Sequence, residues 1–401
     1  MKAFNFTDIL DRTGKDAIAI DPEAASFAEF PPVKEGFSRI PMWVADMNFP
    51  TAPSITEAII ERAGHPAFGY FAPKDDYFDA IIGWQKNRNG VDGLTREAIG
   101  YENGVLGGVV SAMKAAASPG DKVLVHSPTY IGFTHALEDA GYRIVLSELK
   151  QDAEGIFRMD FDDMEAKLKE HRIHAAVFCS PHNPTGRVWT EDELNDAMIL
   201  FKKYDVTVIS DEIWSDLLLE GQRHIPTQSV SDDAKNRTVA LYAPSKTFNL
   251  AGLVGSYHVI YNKTLRDRAR ANSAKTCYNG MNVLSMHALI GAYSETGAAW
   301  LDALREVLTR NVTIACDYFN EKPGIAVAKP QGTYMIFPDF AAWCETRRTD
   351  VGAVLKAGQE VGVLWQDGRP FHGKTHIRLN LALPESLIRE AFDRLDQYVL
   401  T

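Results

Sequence analysis

Cysteine is scarce in this sequence. There are four in 401 residues, Cys179, Cys277, Cys316 and Cys344, far apart and with no CxxC pair. That usage gives no support to a disulfide framework and fits reduced, buried thiols in a cytoplasmic protein. Blocks of positive charge are missing too. The 53 Asp and Glu outnumber the 42 Lys and Arg, the net charge is −11, and no Lys/Arg-rich run interrupts the excess. Such a chain is repelled by phosphate backbones and anionic lipids, so neither nucleic acid nor membrane is expected as a partner. No apolar run approaches the length that crosses a bilayer. The opening "MKAFNFTDILDRTGKDAIAID" carries charges too often to hold a signal-peptide core. Internal repeats and low-complexity segments are absent. His171 and His174 have no third ligand nearby and read as a solvated helix end or loop rather than a metal site.

What is present is an ordinary globular composition, 45% hydrophobic and 24% charged, in a chain longer than one core usually serves. The middle alternates short apolar runs (122–125, 175–178, 206–209 and 238–242) with helical patterns such as "FTHALEDAG" and "EDELNDAMILFKKY". Thr190 is a good N-cap for the second, with Glu193 placed as in a capping box. This alternation predicts an α/β fold, a mostly parallel sheet with helices on both faces. The last third differs. "ETGAAWLDALREVLTRNVTIACDYFNEK" reads as a long helix, "GTYMIFPDF" and "THIRLNLAL" as strands, and "PESLIREAFDRLDQYVL" as a final helix, which makes a smaller α+β unit. The expected division is an N-terminal arm and part of the small domain over 1–49, a large domain over 50–285, and a small C-terminal domain over 286–401.

Each apolar run of the middle ends in polar, proline-marked sequence: "HSPTY", "CSPHNPTG", "SDEIW" and "APSK". Ligands of open α/β sheets bind beyond the carboxyl ends of the strands, so these four ends are expected to meet in one crevice. Lys246 of "APSK" is the only Asp, Glu, Lys or Arg between Arg237 and Lys263. A lysine in an apolar site has a depressed pKa and serves as an amine nucleophile toward a carbonyl. Pyridoxal phosphate needs such a lysine, and an acid that keeps its pyridine nitrogen protonated. Asp211, at a strand end, suits the second role. Taken singly, Lys246 reads equally as a snorkelling or ion-paired lysine, and Asp211 as a helix cap. Paired at matched strand ends, they favour the cofactor.

Other residues fit the same picture. Asn183 is suited to the cofactor's phenolic oxygen and also to an Asn-Pro turn. Tyr130 is suited to stacking on the pyridine ring, or to plain packing. The glycine-rich start of "GVLGGVVSAMKAA" offers free N–H groups to a phosphate, with the hydroxyl of Ser245 beside it. Arg378, inside an apolar strand, is suited to a two-pronged grip on a carboxylate or to a structural ion pair.

Together "SPHNPTGRVWT", "SDEIWSDL", "APSKTFNLAGL", "QGTYMIFPDF" and "HIRLNLALP" resemble the fold-type I pyridoxal-phosphate enzymes of the class I/II aminotransferase group. "PMWVADMNFPTAPSI" and "FGYF" are similar to the branch of cystathionine β-lyases and cysteine or cystine C–S lyases. The resemblance implies that Lys246 bonds to the cofactor and shuttles the proton, with Asp211 on the pyridine nitrogen, Asn183 on the phenolic oxygen and Tyr130 on the ring. It places the phosphate on the backbone amides of Val105 and Leu106, helped by Ser245 and by Tyr70 of the other subunit of a homodimer. Arg378 is implied to bind the substrate α-carboxylate, with the backbone of Ala45 and Asp46 beside it. Three positions depart from the group's habit: Trp214 where aminotransferases usually have tyrosine, Val254 where they often have arginine, and Asn48 where the lyase branch more often has aspartate. An indole at Trp214 donates but cannot ionise, so it approaches the cofactor without phenol-like tuning. The implied reaction is β-elimination from an L-amino acid with sulfur at Cβ. Transamination and a non-catalytic regulatory role are the alternatives.

Overall fold

The apolar runs of the middle become the strands of one sheet, because β-branched residues on successive positions face both sides and both sides are covered. The computed structural model describes residues 4–21, 30–276 and 279–401; Cys277 lies outside the described residues. Seven strands form the main sheet: β1 (Ile99–Glu102), β2 (Lys122–Ser127), β3 (Arg143–Glu148), β4 (Ala175–Cys179), β5 (Thr207–Asp211), β6 (Thr238–Tyr242) and β7 (Ser256–Val259). Their order is β1-β7-β6-β5-β4-β2-β3. All neighbours are parallel except β7, which runs antiparallel to β1 and β6.

Alternate residues of each strand feed different cores, as the two-residue period of a strand requires. Val123, Val125, Val177 and Ile209 pack with Val109 and Met113 of helix Gly104–Ala116. Leu124, Phe178 and Val208 face the other way, against Leu168, Leu194 and Phe201 of helices Phe161–His171 and Glu191–Lys203. Burying one such side chain contributes about 1.5–3 kcal/mol. The second of those helices starts at the expected capping box: the Thr190 hydroxyl accepts from the Glu193 N–H, and the Glu193 carboxylate accepts from the Thr190 N–H.

The last third forms helices Glu295–Asn320 and Glu385–Tyr398 and a three-stranded antiparallel sheet, with Ile377–Asn380 between Met335–Ile336 and Gln366–Asp367. The strand read over 332–340 is shorter than its pattern. Thr333 adopts φ 67° and its hydroxyl takes the Met335 N–H at 3.0 Å, which bends the chain just ahead of the strand. Pro338 offers no N–H to prolong it. The described leading residues, 4–21 and 30–39, are irregular up to strand Ile40–Pro41, which pairs in parallel with Val363–Leu364. Phe6, Met42 and Phe49 share one core with Trp300, Leu304 and Leu379. Among the described residues no helix is long and apolar enough to cross a membrane.

Candidate active site

Lys246 sits in a short helical turn, Pro244–Thr247, at the carboxyl end of β6. Its Nζ donates to the Ala45 carbonyl at 2.9 Å and lies 5.9 Å from the centre of the Trp214 ring. Burial, then the neighbouring Arg378 guanidinium, push this amine down to about 8, against the opposing pull of Asp46 and Asp211. The turn is pinned from below: Thr247 Oγ1 and Trp84 Nε1 each donate at 3.0 Å to the carboxylate of Asp216.

Asp211 ends β5, directly across from Cys179 at the end of β4. One oxygen, Oδ1, accepts the Ile213 N–H at 3.0 Å. Burial lifts the carboxyl to about 7; the Ile213 N–H and Lys246 work against that rise, and Glu212 adds to it. Glu212 points behind the site. It accepts from Ser210 Oγ and the Thr227 N–H at 3.0 Å, and it meets Tyr242 OH and His224 Nε2 at 2.7 Å. Burial alone would raise Glu212, but these partners outweigh it and hold the carboxylate below its usual range.

Asn183 and Arg378 meet above Asp211. Arg378 Nη1 donates to Asn183 Oδ1 at 3.0 Å, which turns the Asn183 amide nitrogen away from the guanidinium. Arg378 Nη2 donates to Gln366 Oε1 and, at 3.1 Å, to the Trp43 carbonyl. The guanidinium also lies 4.3 Å from the centre of the Phe371 ring. Burial pushes it down to about 10. Its buried Nε has no hydrogen-bond partner among the described residues.

The helix behind β1 begins at Gly104, whose φ of 74° suits glycine, and Gly104, Val105 and Leu106 line the crevice. Val105 and Leu106 lie in its first turn, where N–H groups have no intrahelical acceptor. Tyr130 stands over the crevice from the N-cap of helix Ile131–Asp139. A side chain on Gly132 would lie 2.5 Å from its ring, so glycine leaves the ring its place. Burial raises the phenol of Tyr130. Ser245 Oγ reaches the Gly255 carbonyl at 3.5 Å.

One crevice therefore gathers Ala45, Val105, Leu106, Tyr130, Asn183, Asp211, Trp214, Ser245 and Lys246. It adjoins a cavity of about 670 Å³ lined by Trp43, Tyr130, Lys246, Trp365, Gln366 and Arg378. Tyr70 is elsewhere, fully exposed on the irregular segment 65–74. Asp46 borders Lys246 electrostatically while its carboxylate is held by Arg12. The backbone group on Arg378 is the Trp43 carbonyl. The Ala45 carbonyl is taken by Lys246 and Tyr334 OH, and that of Asp46 by Asn380 Nδ2. Val254 borders the crevice at φ 46°, an uncommon conformation for a β-branched residue. Asn48 accepts from Arg12 and donates to the Pro41 carbonyl at 3.4 Å, so its amide performs two tasks where a carboxylate could only accept. Sequence reasoning missed Gln366, Tyr334, Asp216 and Arg12. Tyr334 and Asp216 lie in quoted motifs without a role there; Gln366 and Arg12 carry no local signal.

Residues 41–395 match the family model "Aminotransferase class I and II". The chain is 36% identical to the cystathionine beta-lyase PatB of Bacillus subtilis, over 89% of this chain and 91% of that protein. It is 32% identical to protein MalY of Escherichia coli, over 96% of each. The fold superposes on the PLP-bound C-S lyase of Staphylococcus hominis with a TM-score of 0.89 at 28% identity, covering 100% of this chain and 99% of that one.

Proposed function

Because the chain belongs to the class I and II aminotransferase family, we propose that it is a pyridoxal-phosphate-dependent C–S lyase. It takes an L-amino acid with sulfur at Cβ, such as cystathionine or cystine, to a thiol, pyruvate and ammonia. The observation that carries the reading is the meeting of Lys246, Asp211, Asn183 and Arg378 at the carboxyl ends of β4, β5 and β6 and on strand Ile377–Asn380.

The donor set fits the cofactor. The first-turn N–H groups of Val105 and Leu106, with Ser245 Oγ, suit a phosphate. Asp211 keeps one oxygen beyond its bond to Ile213 for a ring nitrogen, and the Asn183 amide is turned to donate to a phenolic oxygen. Pyridoxal phosphate, when bound, supplies a carbonyl for the amino group and a ring into which electrons from Cα spread. The chain's own residues do the rest. Lys246, held near 8, is partly neutral at ordinary pH and accepts the Cα proton at Nζ. Asp211 holds a proton on the ring nitrogen. Tyr130 and Trp214, which line the crevice, would flank the ring and exclude water. Arg378 grips the α-carboxylate, for which its buried Nε is an unmet donor. A thiolate then leaves Cβ, and water converts the released enamine to pyruvate and ammonia.

We also infer a homodimer in which Tyr70 reaches the neighbouring phosphate site. The supporting observation is the run 65–74, exposed at nearly every position and bearing Phe68, Tyr70 and Phe71 on its surface. We also propose the division into 1–49, 50–285 and 286–401; it is supported by the seven-stranded sheet lying within 99–259 and the three-stranded sheet within 335–380, while Trp84, Trp214 and Phe248 of the large unit join the core of Trp300 and Leu379. A cytoplasmic site is in keeping with the buried, free thiols of Cys179, Cys316 and Cys344.

The test is a product assay with L-cystathionine. Pyruvate formed without added keto acid supports the lyase; turnover only with a keto acid makes the chain an aminotransferase.

A further inference from the structure

The family match begins at residue 41, yet part of the site wall is held from ahead of it. Arg12 lies in the irregular arm and lays its guanidinium across residues 46–48. Nη1 donates to Asp46 Oδ1 at 3.1 Å, to the Met47 carbonyl at 3.2 Å and to Asn48 Oδ1 at 3.0 Å, while Nη2 donates to Asp46 Oδ2. The side chains of Arg12 and Asp46 are 14% and 18% exposed, so water screens this pair poorly. The arm is seated by Phe6, whose ring stands edge-on to Phe49 at 5.3 Å. The clamped segment continues directly into the site: the Ala45 carbonyl accepts Lys246 Nζ at 2.9 Å.

We infer that Arg12 is a positioning residue for Lys246, neutralising Asp46 and fixing residues 46–48 next to Ala45, so that it sets both the charge facing the amine and the placement of the carbonyl that receives it. This rests on the reading of Lys246 as the reactive amine. The charged groups around Lys246 are Asp46 from this segment, Asp211 from β5 and Arg378 from strand Ile377–Asn380. The phenols of Tyr130 and Tyr334 lie close by, Tyr334 OH donating to the same Ala45 carbonyl at 3.0 Å. With Arg12 present, Asp46 is already answered by a bidentate cation. Without it, the carboxylate turns its full charge on Lys246 and favours the ammonium form, so the neutral amine needed to attack a carbonyl forms only at higher pH. A residue that merely tied down the arm would change stability and leave this pH dependence in place.

The test follows the rate at which apoprotein captures pyridoxal phosphate, read as visible absorbance across a pH series, with melting curves alongside. Arg12→Gln keeps a polar side chain and removes the charge. It is expected to move the midpoint of the rate upward by about one pH unit, and Arg12→Lys to bring it back toward the parent. Asp46→Asn in the parent is expected to move the midpoint down, because Arg12 is then uncompensated; in the Arg12→Gln background it should cancel the rise. A midpoint unmoved by both Arg12→Gln and Asp46→Asn, with a lower melting temperature, overturns the proposal and leaves Arg12 as a tether. If Arg12→Gln does not fold, Asp46→Asn decides alone, and an unmoved midpoint again overturns it. A parent that forms no visible band, or one whose borohydride-fixed cofactor lies on a peptide without Lys246, defeats the reading of the site instead.

Discussion

The hydroxyl of Thr247 donates to the Asp216 carboxylate at 3.0 Å, so the residue after Lys246 is tied to the loop that begins at Asp211. Trp84 Nε1 holds the other oxygen of the same carboxylate. The polar ends of β5 and β6 are thereby joined beneath the crevice, and the amine and the acid are kept in one frame. Thr247→Val is nearly the same shape but removes the donor, leaving a buried carboxylate oxygen short of a partner. We expect a loss of about 1–3 kcal/mol in denaturant unfolding, largely restored by Thr247→Ser. Equal stability in the valine variant would mean that the tie carries no weight.

Asp211 gives a pH signature to the apoprotein. Its carboxyl stands at about 7 in the fold against an ordinary 3.8, with burial as the main cause. The folded state thus holds the proton more tightly than the unfolded chain. That contribution is complete below about pH 4 and is lost as pH rises toward 7. Asp211→Asn does not titrate, so its melting temperature relative to the parent should climb from pH 4 to 7 and then level. A bound pyridine nitrogen pairs with the carboxylate, so the climb should shrink in cofactor-loaded protein. A flat difference in the apoprotein would sink the assignment of burial as the cause.

Arg378→Lys retains a charge and loses the planar fork. We expect kcat/KM to fall about ten- to a hundredfold, with the visible absorbance of the bound cofactor retained. A substrate with an α-carboxamide should be poor with the parent and lose little more in the variant. Loss of the chromophore or of the fold would instead assign Arg378 to its contacts with Asn183 and Gln366.

Shared sites predict complementation. Lys246→Ala and Tyr70→Phe subunits, each poor alone, should regain activity on mixing, because a hybrid dimer holds one site with both residues. With hybrid formation verified by mass, absence of recovery would show that Tyr70 does not serve the neighbouring site.

The meeting of Lys246, Asp211 and Asn183 in one crevice was legible because each lies at the end of a short apolar strand, and parallel strands put their carboxyl ends on one edge of the sheet. The capping box at Thr190, the long helix at Glu295–Asn320 and the final helix at Glu385–Tyr398 were legible for similarly local reasons: a side chain three residues from its backbone partner, and a 3.6-residue apolar period. Strand Met335–Ile336 was overread, since its pattern was right and the bend at Thr333 was not visible in it.

By itself, then, the sequence determined the alternating sheet, the four polar strand ends and an amine and an acid suited to pyridoxal phosphate, because those depend on neighbours along the chain. Tertiary structure decided the rest. Ala45 receives Lys246 across 201 positions, Gln331 joins Arg187 across 144, and Trp84 meets Asp216 across 132. Arg12 closes on Asp46 from an arm with no periodic pattern, and Gln366 reaches Arg378 through the pairing of two short strands. Such contacts are set by how separately formed layers dock, and docking is governed by the fit of whole surfaces, which no local run of residues encodes.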